Sequence, residues 1–379
     1  MPDIEALDGV GGGDIEKVNG VAKADIEAIN GVGFAASGAT QWVTAYEDGG
    51  VGYAANSDLS SWTTYYSGAS NESVDWQEVA FGKDGSGNDR FMFAWTRASS
   101  PGEIRHTNDV TNTSGFTGVD ISPATGFSAE LYTIAYLNGV WIAAGKVDGN
   151  QGGAIYRSTD GGGTWSAVTV STLTGFGTTG IYNFAHDGNS TIIFGQDEHV
   201  FYSTDKGATW AVALAELAAS AKTLFCVYSA AQSVFVVGYH KNGLKFRTCA
   251  SNAMTTWAAQ QDANNNSSGK IPLSNNQARR AFAIAGSTFV VGNAQSHQRF
   301  TLSGQTITSD TFNSGQLPYA NVKDICTDGT TWIAVHSGGD ISKSTNDGAT
   351  WSSAAANVAV NGGADDDMKA CAPNVLQPV

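Results

Sequence analysis

Charge is what this sequence has least of. Only 15% of its 379 residues are Asp, Glu, Lys or Arg, where globular proteins carry about a quarter. Basic groups are the scarcer sign: 20 Lys and Arg stand against 35 Asp and Glu, a formal net charge of −15. The longest basic run is Arg279-Arg280. No stripe exists to neutralise phosphates, which excludes nucleic acid and an anionic membrane surface as partners. No apolar stretch reaches the roughly 18 residues of a spanning helix, so membrane insertion is not expected. Proline occurs only seven times and there is no long polar tract, a composition unlike that of disordered chains.

Cysteine is equally sparse. Cys226, Cys249, Cys326 and Cys371 lie far apart with no C-x-x-C pair, which indicates neither a zinc site nor a disulfide scaffold. Histidines never fall at ligand spacing. Two clusters are oxygen-rich: Asp84-Gly-Ser-Gly-Asn-Asp89, which lacks the spacing and final Glu of a calcium loop and reads as a hairpin tip, and Asp365-Asp366-Asp367, which reads as a solvated turn. No metal and no cofactor is expected. Met1-Pro2-Asp3-Ile4-Glu5 has neither a basic nor an apolar signal region, so no Sec export signal is expected.

What the sequence has is glycine, 46 of them, and short apolar runs of period two bounded by Gly and Asn. Such runs predict many short strands. Seven share one pattern, beginning at Trp42, Phe91, Trp141, Thr191, Val234, Phe289 and Trp332. Upstream of six of them stands a small residue: Ala80, Ala135, Ala185, Cys226, Ala283 and Cys326. Small side chains fit where inner strands converge on a ring axis and large ones would collide. The run at Trp42 has no strand before it, but Met368-Lys-Ala-Cys-Ala372 places Cys371 in the same column. The predicted fold is all-β: a seven-bladed β-propeller over residues 34–379, closed by pairing of its C-terminal strand with the first blade. Closure removes the two exposed edges of an open stack.

One turn recurs three times as S-x-[D/N]-x-G-x-T-W. The copies are Ser158, Asp160, Gly162, Thr164 and Trp165; Ser203, Asp205, Gly207, Thr209 and Trp210; and Ser344, Asn346, Gly348, Thr350 and Trp351. The Asp or Asn can accept backbone N–H groups nearby, Gly allows the tight turn, and Trp buries a large face whose N–H needs a partner. The motif resembles the Asp box (BNR repeat) of sialidases and related β-propellers, where it is a fold staple remote from the active site. Sialidase-like hydrolysis would need three converging arginines, a Tyr–Glu nucleophile pair and an acid Asp. No arginine recurs at the inner-strand starts, so no catalytic residue is assigned. Hydrolysis by two facing carboxylates stays open, because Asp197, Glu198 and Asp340 share one face. A further family of seven-bladed Asp-box propellers, which assists photosystem assembly, uses an arginine patch that this arginine-poor chain does not match.

Residues 1–33 carry a separate repeat of period eleven, from Asp3 to Val10, Asp14 to Val21 and Asp25 to Val32. Each unit has an Asp suited to an N-cap, a Glu in the first turn and a stop at Asn/Asp-Gly. Short helices are expected, with Ile4/Leu7, Ile15/Val18 and Ile26/Ile29 each sharing a face. Helices so short need a surface to dock on: one another, sister chains in a homo-oligomer, or a larger particle. The D-I-x-x-[I/V]-N-G-V pattern resembles N-terminal segments of tailed-phage structural and tail proteins. That resemblance implies a virion protein, anchored to other virion proteins through residues 1–33 and released by lysis, with the propeller displayed towards a host-surface glycan or protein. The alternatives are a virion-borne sialidase-like hydrolase and a purely structural fibre or coat subunit. On the propeller, His199, His240, His297 and His336 follow the second strands, near Lys146, Tyr239 and Lys241. They mark a candidate binding face whose histidines would titrate close to neutrality.

Overall fold

The computed structural model describes residues 41–47, 49–55, 59–66, 74–97, 103–121, 129–147, 152–263, 281–293, 296–309, 317–358 and 367–376, together with four two-residue strands before position 34. The chain divides into two compact units, Met1–Gly38 and Ala39–Val379.

In the first unit, Lys17–Val18 pairs with Val21–Ala22, and Ala28–Ile29 pairs with Val32–Gly33. The residues between the partners are Asn19-Gly20 and Asn30-Gly31, the dipeptide favoured by two-residue hairpins. Val18 and Ile29 therefore lie on strands, not on the helical faces expected for them. Strand pairing across each Asn-Gly stands where the sequence pattern predicts a helix stop. Ile4, Leu7, Ile15 and Ile26 lie outside the described residues.

The second unit holds seven four-stranded antiparallel sheets. Blade 1 is Met368–Pro373, Gln41–Tyr46, Gly50–Ala55 and Thr63–Tyr66 in spatial order. Blades 2 to 7 each run in sequence order within 74–120, 129–168, 185–214, 222–262, 282–309 and 322–355. The closing strand is the one predicted: Cys371 lies opposite Thr44 and Pro373 opposite Trp42. Ala80, Ala135, Ala185, Cys226, Ala283, Cys326 and Cys371 all stand on first strands, facing Met92, Ile142, Ile193, Val237, Val290, Ile333 and Thr44 on the second. First strands pack on each other between blades 2 and 3, 4 and 5, 5 and 6, and 6 and 7, and the closing strand packs against those of blades 2 and 7. The four cysteines are free and buried.

The core lies between the sheets, with one apolar cluster at each of the seven seams. Alternate side chains of one strand serve opposite seams. Trp42 and Tyr46 pack with Ile333 and Val335 of blade 7, whereas Val43 and Ala45 pack with Trp76 and Phe93 of blade 2. Second strands are consequently mostly apolar along their middles, as sheets covered on both faces must be.

The recurring turn joins the third and fourth strands of blades 3, 4 and 7. Asp160 accepts bonds from Ser158 Oγ at 2.7 Å, Thr164 N–H at 2.9 Å and Thr164 Oγ1 at 2.7 Å. Gly162 N–H donates to Ser158 Oγ at 2.9 Å, and Trp165 Nε1 donates back to Gly162 O at 3.1 Å. Asp205 holds Ser203 and Thr209 in the same way, with Trp210 Nε1 on Gly207 O. Asn346 keeps the pattern with its amide donating to Thr350 Oγ1, and Trp351 Nε1 reaches Gly348 O. Trp62 and Trp257 make the same three-residue return to Leu59 O and Met254 O, without the full motif.

Candidate functional site

First strands start, and second strands end, at one end of every blade. Here five first strands break register, between Trp76 and Glu78, Leu131 and Thr133, Thr223 and Phe225, Val322 and Asp324, and Met368 and Ala370. The extra residues are Gln77, Tyr132, Leu224, Lys323 and Lys369. A bulge re-aims the side chain it carries. Four of these five are polar or aromatic, and those four are half-buried near the starts of the first strands.

Ion pairs tie this rim to the loops around it. Lys369 Nζ lies 2.9 Å from Glu47 Oε2, and Lys323 Nζ lies 3.0 Å from Asp367 Oδ2. Burial pushes the Asp367 carboxyl up. Lys323, with bonds from Gly338 N–H and Ser337 Oγ, outweighs that and holds it below the usual range.

The most elaborate part spans blades 3 to 5. The connection 169–184 folds over this end before entering blade 4. Phe176 packs edge-on against Phe201, and Gly177 N–H donates to Gln196 Oε1 at 2.9 Å. So anchored, the connection lays Tyr182 flat against Tyr132, with centroids 4.8 Å apart and planes 12° from parallel. Glycine at position 180 leaves room for this stack, since a β-carbon there would meet Tyr132 Cε2 at 2.5 Å. Tyr132 Oη donates to Glu130 Oε2, and Glu130 sits opposite Lys146 across the sheet.

The same connection reaches Asp197, at the tip of the blade 4 hairpin with φ +49°. A short polar side chain tolerates that left-handed conformation better than most. Its carboxylate takes Thr179 Oγ1 at 2.7 Å and pairs with Lys222, while its carbonyl accepts Thr223 N–H at 3.0 Å and Thr223 Oγ1 at 2.8 Å. Glu130, Tyr132, Lys146, Thr179, Tyr182, Asp197 and Lys222 thus form two aromatic planes edged by two carboxylates and two ammonium groups. Such an edge can exchange hydrogen bonds with hydroxyls or amides while the rings cover an apolar face.

Of the residues expected on this face, Lys146 joins the cluster. His199 is half-buried on the Asp197 hairpin with its ring beside Phe201. His240 and Lys241 flank the next hairpin, His240 opposite Lys222 and Lys241 Nζ on Ala219 O. The other three lie beneath the surface. His297 is fully buried against Trp351, with ring centroids 5.9 Å apart. His336 is fully buried between Ser342 Oγ at 2.9 Å and Ala320 O at 3.2 Å. Tyr239 is buried with its hydroxyl on Gln260 Oε1 at 2.8 Å. Burial pushes both imidazoles down to about 4, so neither titrates near neutrality as expected.

Sequence reasoning passed over Glu130, Tyr132, Thr179, Tyr182 and Lys222. A signal was present: Tyr132 and Tyr182 each stand three places before the small-residue column, at Ala135 and Ala185. Among the described residues, four arginines serve the blades themselves. Arg90, Arg157 and Arg247 donate to the carbonyls of Gly161, Lys206 and Ala258, and Arg105 pairs with Glu103.

Fold and rim together define a seven-bladed β-propeller that is polar near the starts of its first strands. No protein-family model matches the chain, and no curated protein matches it. Solved structures do. A putative 6-phosphogluconolactonase from Bacteroides uniformis is 10% identical with a TM-score of 0.58, covering 89% of this chain and 99% of that one. A chain of the mitotic checkpoint complex is 10% identical at 0.53, covering 78% and 81%. YCF48 from Cyanidioschyzon merolae is 13% identical at 0.52, covering 75% and 86%. At such identities the likeness is one of fold.

Proposed function

We propose that this chain is a structural protein of a phage virion. In this reading the repeats in residues 1–33 attach it to other virion proteins, and the propeller is displayed as a tail-fibre, adhesin or decoration module that binds a host-surface glycan. The observation that carries the reading is the triple D-I-x-x-[I/V/L]-[N/D]-G-V repeat set ahead of a propeller bearing Asp-box turns. The rim supports it with aromatic planes edged by hydrogen-bonding groups. Electron microscopy of assembled particles tests it: the propeller is expected outside the particle, and a chain lacking residues 1–33 is expected to fold but not to join it. A deletion that still incorporates removes the anchoring role.

A virion-borne glycoside hydrolase is the second reading. One feature favours it, the hydroxyl of Tyr132 bonded to Glu130 on the same rim as Asp197. Release of reducing sugar from host polysaccharide, lost on Glu130→Gln, would establish it over simple adhesion.

A further inference from the structure

We propose that the Tyr132–Tyr182 cluster is a binding subsite for an uncharged pyranose unit of a glycan. This rests on the adhesin reading and names the place and class of its ligand. A pyranose ring has an apolar C–H face and an edge of hydroxyls. The cluster has the complementary form, with stacked aromatic planes bordered by Glu130, Asp197, Lys146 and Lys222. Aromatic rings supply contact area with few rotatable bonds, so little entropy is lost on binding.

The ligand should be neutral because the border is balanced among the described residues: two carboxylates against two ammonium groups, arranged as the cross-strand pair Glu130 with Lys146 and the ion pair Asp197 with Lys222. An acidic sugar would set its own carboxylate against Glu130 and Asp197 with no added cation to meet it. A carboxylate offers about four lone-pair positions. Asp197 Oδ1 and Oδ2 can keep Lys222 and Thr179 and still accept a sugar hydroxyl. The site is also held in place before any ligand arrives. Phe176 and Gln196 pin the connection that carries Thr179 and Tyr182, and Thr223 clamps the Asp197 backbone. Preorganisation of this kind lowers the cost of binding.

The test uses the intact chain with maltotetraose, cellotetraose, chitotetraose and methyl β-galactopyranoside as neutral probes and 3′-sialyllactose as the charged one. Binding is read by saturation-transfer NMR and titration calorimetry. At least one neutral probe should bind through ring protons, and Tyr182→Ala should weaken it by about ten-fold or more, the scale of one aromatic contact. Lys222→Met, which leaves the stack alone, should weaken the same probe, and Lys83→Ala at the opposite end of blade 2 should not. Should Tyr182→Ala fail to fold, Lys222→Met and Tyr182→Phe decide, the latter binding as wild type. Binding indifferent to both Tyr182→Ala and Lys222→Met, binding of sialyllactose alone, or no binding at all overturns the subsite. Adsorption of whole particles to host cells, measured separately, keeps failure of the subsite distinct from failure of the adhesin reading.

Discussion

Gly162 of blade 3 stands directly over Met92 of blade 2: a β-carbon on Gly162 would lie 1.9 Å from Met92 Cε. The relationship recurs with Gly207 over Ile142 of blade 3 at 2.7 Å and Gly348 over Val290 of blade 6 at 2.4 Å. Arg90 of blade 2 and Arg157 of blade 3 add bonds to the same turns, at Gly161 O (2.7 Å) and Lys206 O (2.8 Å). The sequence assigns this turn to closing a hairpin; in the fold it also fastens blades 3, 4 and 7 each to the one before.

Gly162→Ala therefore carries two penalties, a left-handed backbone at φ +94° and collision with Met92. Gly87 separates them, since it has φ +84° and nothing within 4 Å of an added β-carbon. Chemical denaturation should show a loss of about 1 kcal/mol for Gly87→Ala, from strain alone. Gly162→Ala should lose about 1 kcal/mol more, the low end of overpacking, because the atom it meets is the end of the flexible Met92 side chain. Equal losses would mean that the turn does not bear on blade 2.

The turn should also be sensitive to acid. Burial raises the Asp160 carboxyl, but bonds from Thr164 and Ser158 prevail and hold it at about 2, below its ordinary 3.8. A carboxylate with a depressed folded value adds stability above the unfolded value and loses it as pH falls through the folded one. That window runs from about pH 4 down to about 2. Melting temperature followed across it should fall less steeply in Asp160→Asn than in the parent, because Asn346 shows the turn closing with an amide.

Buried histidines act in a neighbouring window. Burial holds His106, His186, His297 and His336 down to about 4, against 6.5 when free. The unfolded chain then binds more protons between these values, so stability decreases as pH falls from about 6.5 to 4 and is flat above. Melting curves at pH 7.5, 6, 5 and 4.5 should show this decline, and His297→Phe should reduce its slope while leaving pH 7.5 nearly unchanged. An identical slope in the variant would argue that His297 charges freely in the fold.

Removing the closing strand should cost cooperativity as well as stability. A chain ending at residue 366 leaves Gln41–Tyr46 as an unpaired apolar edge, the kind of edge that recruits other strands. Size-exclusion chromatography should show aggregates, and adding a peptide of residues 367–376 should restore a single cooperative transition. A truncated monomer that unfolds in one step would contradict the seam.

The number of blades and the place of closure were legible because both are recorded in side-chain volume: one small residue per inner strand, the last at Cys371. The binding face was legible only in part. His297 and His336 stand at strand ends in sheets covered on both sides, where polar and apolar residues do not alternate, so parity does not separate inward from outward. The bulges that present Tyr132, Lys323 and Lys369 leave no mark in composition, since one inserted residue is invisible until a partner strand fixes the register. Asn-Gly in the N-terminal repeat serves a helix end and a two-residue hairpin equally well, and the described pairs take the hairpin.

Because blade 1 draws its innermost strand from 368–373, the sheet begun first during translation is the last to be completed. Until the ribosome has delivered Pro373 the nascent molecule is an arc with two live ends. A neighbouring polysome-bound chain can then supply the missing strand, so exchanged dimers should form at this sheet in preference to the other six.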